Sequence, residues 1–488
     1  MPDDSLLDPR PGAEAPTGAD GLELDPETMR ELGYRVVDLL VERIVSLDES
    51  RAWRGASRAE MESRLREPPP SRPTSFDEIV RRLQADVLPF TGHHDHPRFF
   101  GYVPSCPTWP GVLGDFLAAG ANIFAGTWLQ SAGASTVELV VIDWFRQWIG
   151  YGGQASGVLV PGGSLANLTA IACAREATAG GRGENAVVYL TPQGHSSVTR
   201  ALRVLGFRSE QVRSIPVDDG LRLRPDALAA AMEADVSAGR QPFLVVANGG
   251  ATNTGAVDPL VEVAAVCAER DAWLHVDAAY GGFALLTERG RRWLGGIERA
   301  DSITLDPHKW LYQPYEAGCL LVREGSLLSR AFHILPEYLQ DTAVGGVEVN
   351  FADRGLQLTR STRALKLWMS LQYFGVDAFR AAIDRSLDLA VLAERRIEGS
   401  PELELLSPAT LGIVCFRRRP PGLGDETALE ALNADLDRRL AESGVGMVSS
   451  TRVDGRYALR LCVLNHRSGA EDVERVLDWL ERAPLPPP

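Results

Sequence analysis

Lysine is almost missing from this chain: of 50 basic side chains only Lys309 and Lys366 are lysines, and the rest are arginines. Arginine-favouring codon usage accounts for the bias but not for the two survivors. What lysine can do and arginine cannot is lose its proton and form a Schiff base. Cysteine is scarce as well. The six, Cys106, Cys173, Cys267, Cys319, Cys415 and Cys462, contain no C-x-x-C pair, so neither a zinc site nor a disulfide framework is expected, and a reducing cytoplasm is the expected location. No window approaches the ~18 uninterrupted apolar residues of a membrane span. The opening MPDDSLLDPR carries acids where a secretory signal carries basic residues. Positive charge is in deficit, 50 basic against 65 acidic groups for a net charge of −15, which argues against a nucleic-acid surface or a polybasic membrane patch.

What remains is an ordinary globular composition, 45% apolar and 24% charged over 488 residues, long enough for several domains or one large α/β unit with appendages. Residues 1–24 mix Pro, Gly, Ala and acids without periodicity and are expected to form a mobile tail. From Asp25 the pattern turns helical, with Leu32, Val36, Leu39, Leu40 and Ile44 along one face. The Pro-rich run at 68–73 predicts a loop, and a further helix follows it.

Beyond about residue 109, helical stretches alternate with short apolar runs: GVLV (157–160), AVVYL (186–190), FLVVAN (243–248), WLHVDAA (273–279), SITLD (302–306) and GCLLVR (318–323). Such runs predict strands buried on both faces, in a mainly parallel sheet covered by helices. The last ~120 residues hold a helix from about 364, the strand-like LGIVCFR (411–417) and YALRLCVL (457–464), and a closing helix, which suits a smaller α+β domain. The expected division is a tail 1–24, an N-terminal helical segment 25–108, a large domain 109–365 and a small domain 366–488.

The expected strand ends carry polar groups: Gly162, Gly163 and Ser164, then His195, Thr252, Asp277, and finally His308 and Lys309. Ligands of parallel sheets gather at that edge. The set matches the demands of a pyridoxal phosphate site: a lysine for the aldehyde, a carboxylate for the ring nitrogen, backbone donors for the phosphate and flat or apolar faces for the ring. Lys309 and Asp277 answer the first two. Gly162, Gly163 and Ser164 open a helix whose free N–H groups favour a phosphate, and His195 and Ala279 can cover the ring. Each has a plainer reading alone: a strand–helix turn with a Ser cap, a strand-end cap, a loop histidine, a surface lysine. Their occurrence in order on consecutive strand ends favours the cofactor site.

These strings resemble the fold-type I, group II pyridoxal phosphate-dependent amino acid decarboxylases, the aromatic L-amino acid decarboxylases among them. The resemblance runs from about residue 25 to the end on PGGSLANL (161–168), GHSSV (194–198), HVDAAYGG (275–282), DPHKW (306–310) and PEYL (336–339). It implies a homodimer with active sites at the subunit interface, the N-terminal helices packing across the partner. The family's roles fall on Lys309 for the Schiff base, Asp277 for the pyridinium and His195 for ring stacking. Gly163, Ser164 and His308 fall on the phosphate side, Thr252 and Ala279 near the ring. Tyr338 matches the catalytic tyrosine that reprotonates Cα, which favours an amine product over the aldehyde of oxygen-consuming relatives. Tyr102, Pro104 and Ser105 match the family's substrate-pocket wall, and Phe124 would reach the neighbouring subunit's site. Val103 and Gly126 stand where phenylalanines are usual and His94 where tryptophan is, which implies a wider pocket for an aromatic, indolic or phenolic, amino acid.

Two further readings stay open. Ser164, Asp277 and His308 follow the chain order of an α/β-hydrolase triad, though that leaves Lys309 unexplained. His93, His94 and His96 lack carboxylate or cysteine partners at ligand spacing, so no metal is expected.

Overall fold

The computed structural model describes residues 22–178, 183–334, 337 and 347–485. Its larger sheet is built from β1 (Ser156–Val160), β2 (Ala186–Leu190), β3 (Val212–Ser214), β4 (Gln241–Asn248), β5 (Trp273–Asp277), β6 (Ser302–Leu305) and β7 (Gly318–Val322), in the order β1-β7-β6-β5-β4-β2-β3. Every residue of β5, β6 and β7 is buried, as expected for strands covered by helices on both faces. From β3 through β6 the neighbours are parallel. The GCLLVR run departs from the parallel reading: β7 is antiparallel to both β6 and β1. The reason lies in its connection, which holds one turn of helix, Pro307–Trp310, in place of the covering helix that a parallel return requires.

The site edge of β1 is pinned by a buried ion pair. Arg360 and Glu138 meet through two 2.8 Å contacts, with side chains 1% and 0% exposed. Glu138 also accepts the Leu159 N–H at 2.9 Å, and Arg360 donates to the Leu159 and Ala125 carbonyls. Both charges are therefore fully bonded, and Leu159 is held three residues before the Gly162 turn.

The second sheet is antiparallel: β8 (Leu403–Thr410), β9 (Ile413–Arg418), β10 (Ser449–Val453) and β11 (Arg456–Cys462), in the order β10-β11-β9-β8. Three helices matter below: α1 (Pro26–Val45), α2 (Gly163–Ala177) and α3 (Ala364–Glu398). The first is capped by Asp25, whose carboxylate accepts from Glu27 N–H and Thr28 N–H. No residue of α1 is buried in the single chain. The third serves both cores: Leu367, Leu371 and Ile383 pack with the large sheet, and Leu389, Ala393 and Ile397 with the small one.

Candidate active site

The C-terminal ends of β1, β2, β4, β5 and β6 open onto one cavity of about 370 Å³. Lys309 lies in the single turn after β6, and its Nζ stands 3.0 Å from Asp306 Oδ2. The other lysine is used differently. Lys366 is 3% exposed, and its Nζ donates to Asp115 and to the Pro314 carbonyl, both at 2.9 Å. Only one of the chain's two lysine side chains lines the cavity.

At the end of β5, Asp277 accepts the Asn167 Nδ2–H at 2.8 Å and the Ala279 N–H at 3.2 Å. His195 caps the helix Ser196–Val204, its Nδ1 accepting from the Ser197 N–H. Burial holds the His195 imidazole below its ordinary pKa, against the opposing pull of Asp277. Burial likewise lowers the pKa of His308, whose Nδ1 donates to the Ala317 carbonyl at 2.7 Å. Both rings are therefore neutral near pH 7.

No side chain caps α2, and its N-cap is Gly162 rather than Ser164. The leading N–H groups of this helix, with its dipole, are thus available to an anion. The close approach there needs glycine: a Cβ at 163 would stand 3.0 Å from both the Ala279 Cβ and Asp306 Oδ2. Ser164, Thr252 and Ala279 also line the cavity. A primary amine, a carboxylate at a strand end, an uncapped helix start and a neutral imidazole in one cavity fit pyridoxal phosphate.

Several residues of the site escaped the sequence reading, among them Asp306, Asn167 and Ser197. Asp306 is buried, with Oδ1 lacking a hydrogen-bond partner; its signal was its place in DPHKW, three residues before Lys309. Asn167 and Ser197 line the cavity too. Asn167 follows Gly163 by four residues, hence on the same face of α2.

Other candidates stand elsewhere. Tyr102 is 60% exposed, with φ +54°. Ser105 is buried and donates to the Gln313 carbonyl at 2.9 Å, while Pro104 lies buried beside it. The Phe124 ring takes the space that a side chain at 126 would claim, since a Cβ there would meet Phe124 Cζ at 2.3 Å. None of these four lines the cavity of the single chain. Tyr338 lies outside the described residues. His94 stacks on Phe99 with ring centroids 4.6 Å apart, and no cluster able to hold a metal occurs among the described residues. The hydrolase order does not assemble either: Asp277 is engaged by Asn167 and Ala279, and His308 Nδ1 by Ala317, so no Asp277–His308 relay forms.

Comparison with known proteins points to the same cofactor. The family described as "Pyridoxal-dependent decarboxylase conserved domain" matches residues 59–419. An aromatic-L-amino-acid decarboxylase of Bacillus atrophaeus is 41% identical over 461 residues, spanning 94% of this chain and 96% of that one. A phenylacetaldehyde synthase of Arabidopsis thaliana is 30% identical over 453 residues, 90% of this chain and 92% of that one. A crystal structure of Oryza sativa TDC with PLP and tryptamine superposes with a TM-score of 0.89 at 30% identity, covering 95% of this chain and 98% of that one.

Proposed function

This chain belongs to the pyridoxal-dependent decarboxylase family, and on that premise we propose that it decarboxylates an aromatic L-amino acid to its amine with Lys309 as the Schiff-base lysine. It is a pyridoxal 5′-phosphate-dependent carboxy-lyase acting on an amino acid. The observation that carries the assignment of residues is the placement of Lys309 and Asp277 in one cavity, while Lys366 is tied to Asp115.

When bound, the cofactor supplies a sink for the electron pair left behind as carbon dioxide departs. The chain's residues do the rest. Lys309 Nζ would hold the cofactor aldehyde, and Asp277, a carboxylate fixed by two donors, would keep the ring nitrogen protonated. The start of α2 at Gly163 and Ser164, with His308, would receive the phosphate, and His195, Ala279 and Thr252 would enclose the ring. Tyr338 delivers a proton from its hydroxyl to the substrate Cα. The aromatic preference rests on the Bacillus relative and on the tryptamine-bound rice structure, with Tyr102, Pro104, Ser105 and Phe124 as pocket-wall residues.

The site is completed in a homodimer on this reading. Supporting it, α1 exposes Tyr34, Val36, Val41 and Val45, and Phe116, Leu117 and Leu129 are also exposed, a distribution that leaves apolar area for a partner to cover. Six buried free thiols are consistent with a reducing cytoplasm.

The test is a screen of the proteinogenic L-amino acids that follows carbon dioxide, amine, aldehyde and peroxide together. One aromatic substrate should yield amine and carbon dioxide in equal amounts. Tyr338→Phe should divert flux to aldehyde, ammonia and hydrogen peroxide at the expense of dioxygen and water, an aldehyde being the product that the name of the phenylacetaldehyde synthase relative gives. Turnover confined to non-aromatic acids overturns the substrate class, and an unchanged amine yield in the variant overturns the role of Tyr338.

A further inference from the structure

Around and behind Asp277 lies a set of polar side chains with no role assigned above, each at most 4% exposed: Asn167, Ser197, His275, Ser302 and Thr304. They form a continuous chain. Trp273 Nε1–H reaches Ser302 Oγ at 2.9 Å; Ser302 Oγ meets His275 Nδ1 at 2.8 Å; His275 Nε2 meets Asn167 Oδ1 at 3.0 Å. Asn167 Nδ2 then reaches both Asp277 Oδ2 at 2.8 Å and Ser197 Oγ at 2.9 Å, and Ser197 Oγ meets His195 Nδ1 at 2.8 Å.

From Trp273 to Asp277 the direction of every proton follows from the two ends. An indole N–H can only donate and a carboxylate can only accept. Asn167 must therefore turn its NH₂ to Asp277, since the flipped amide would set two acceptors 2.8 Å apart. Its carbonyl then accepts from His275 Nε2–H and from the Thr304 hydroxyl at 2.7 Å, so all four hydrogen-bonding positions of the amide are filled. Burial lowers the His275 pKa to about 4, so the ring is neutral, protonated on Nε2, and accepts from Ser302 at Nδ1. The Ser197 N–H donates to His195 Nδ1 at 3.3 Å, which makes that nitrogen an acceptor, so Ser197 Oγ, accepting from Asn167, donates its own hydrogen to it as well.

We propose that Asn167 is a positioning residue that divides one polarised chain into two arms, one fixing the carboxylate of Asp277 and the other, through Ser197, fixing His195 as the Nε2–H tautomer. A neutral His195 with Nδ1 occupied shows a donor, not an acceptor, to whatever enters the cavity. The two groups on which cofactor handling depends are thus set by one amide, so they cannot be varied independently by changes at position 167. The proposal rests on the reading that Asp277 and His195 serve a pyridoxal site, but the tautomer measurement that tests it does not.

In cofactor-free enzyme labelled with ¹⁵N-histidine, and with His195 assigned by loss of its signal in His195→Gln, two-bond ¹H–¹⁵N correlation should show a bare Nδ1 and a protonated Nε2. Asn167→Leu frees Ser197 Oγ to accept from the ring instead, and should bring in the Nδ1–H tautomer while weakening pyridoxal phosphate binding roughly tenfold to hundredfold. Ser197→Ala cuts only the second arm, so the tautomer signal should shift while cofactor affinity falls far less than in Asn167→Leu. An Nδ1–H tautomer in the wild-type protein overturns the proposal whether or not either variant folds, as does an unchanged His195 signal in both variants. Loss of affinity in Ser197→Ala equal to that in Asn167→Leu overturns the two-arm division.

Discussion

Lys309 and Lys366 are the same side chain in two surroundings, and the contrast shows how residue chemistry is set by neighbours. Lys366 is buried against Asp115 and a carbonyl, its pKa lowered by that burial; Lys309 lies at the cavity beside Asp306. Histidines divide in the same manner. His466 touches the edge of the Tyr312 ring, and burial with the nearby Arg467 and Arg385 lowers its pKa from 6.5 to about 4. Between those values the unfolded chain holds a proton that the folded chain does not, so stability rises with pH across the window and is lost as pH falls from 6.5 toward 4. The full effect is on the order of 3 kcal/mol. His466→Gln removes this titration, and its stability in urea should fall less between pH 6.5 and 4 than the wild type's; parallel curves contradict the assignment. Much at this scale was legible. Lys309, Asp277, His195 and Gly163 stood at strand ends beside recognisable turns, and all line the cavity. Asn167, Ser302 and Thr304 were not read, although His275 pairs with Ser302 and Asp277 with Thr304 across β5 and β6. The sign was a period-two run of polar residues inside strands otherwise apolar.

At the scale of elements, strands buried on both faces declared themselves as continuous apolar runs, as did the buried edge strand β1, whereas the other three edge strands did not. β3, β8 and β10 end their sheets, and their partly exposed residues give no such run. The antiparallel sense of β7 was equally hidden, because direction depends on the connection and not on the strand's composition. The Glu138–Arg360 pair likewise joins residues 222 positions apart, a separation no local pattern encodes. Its consequence is measurable. Glu138→Ala strands the guanidinium of Arg360 without its counter-charge and removes the acceptor for Leu159 N–H, which should cost about 3–5 kcal/mol in urea denaturation of the cofactor-free protein. A loss below about 1 kcal/mol, the range of exposed pairs, contradicts the view that this pair anchors the site edge of β1.

Over the whole molecule, a polar edge of one sheet supplies a cavity, and the second sheet closes on the first through α3, whose single length serves both cores. At Gly375, φ +72° interrupts the helical backbone, a conformation glycine adopts without the strain a side chain would bring. The unburied apolar face of α1 and the cavity's lack of contact with Tyr102, Pro104, Ser105 and Phe124 belong together if a second copy completes the site, which no pattern within one chain could specify. The function of the molecule turns on which amine carries the cofactor, and near-absence of lysine leaves two side chains to distinguish. Borohydride reduction of the pyridoxal phosphate-loaded enzyme, followed by peptide mass mapping, should place the pyridoxyl group on the peptide containing Lys309 and leave Lys366 unmodified. A tag on Lys366, or on neither, contradicts the assignment of Lys309.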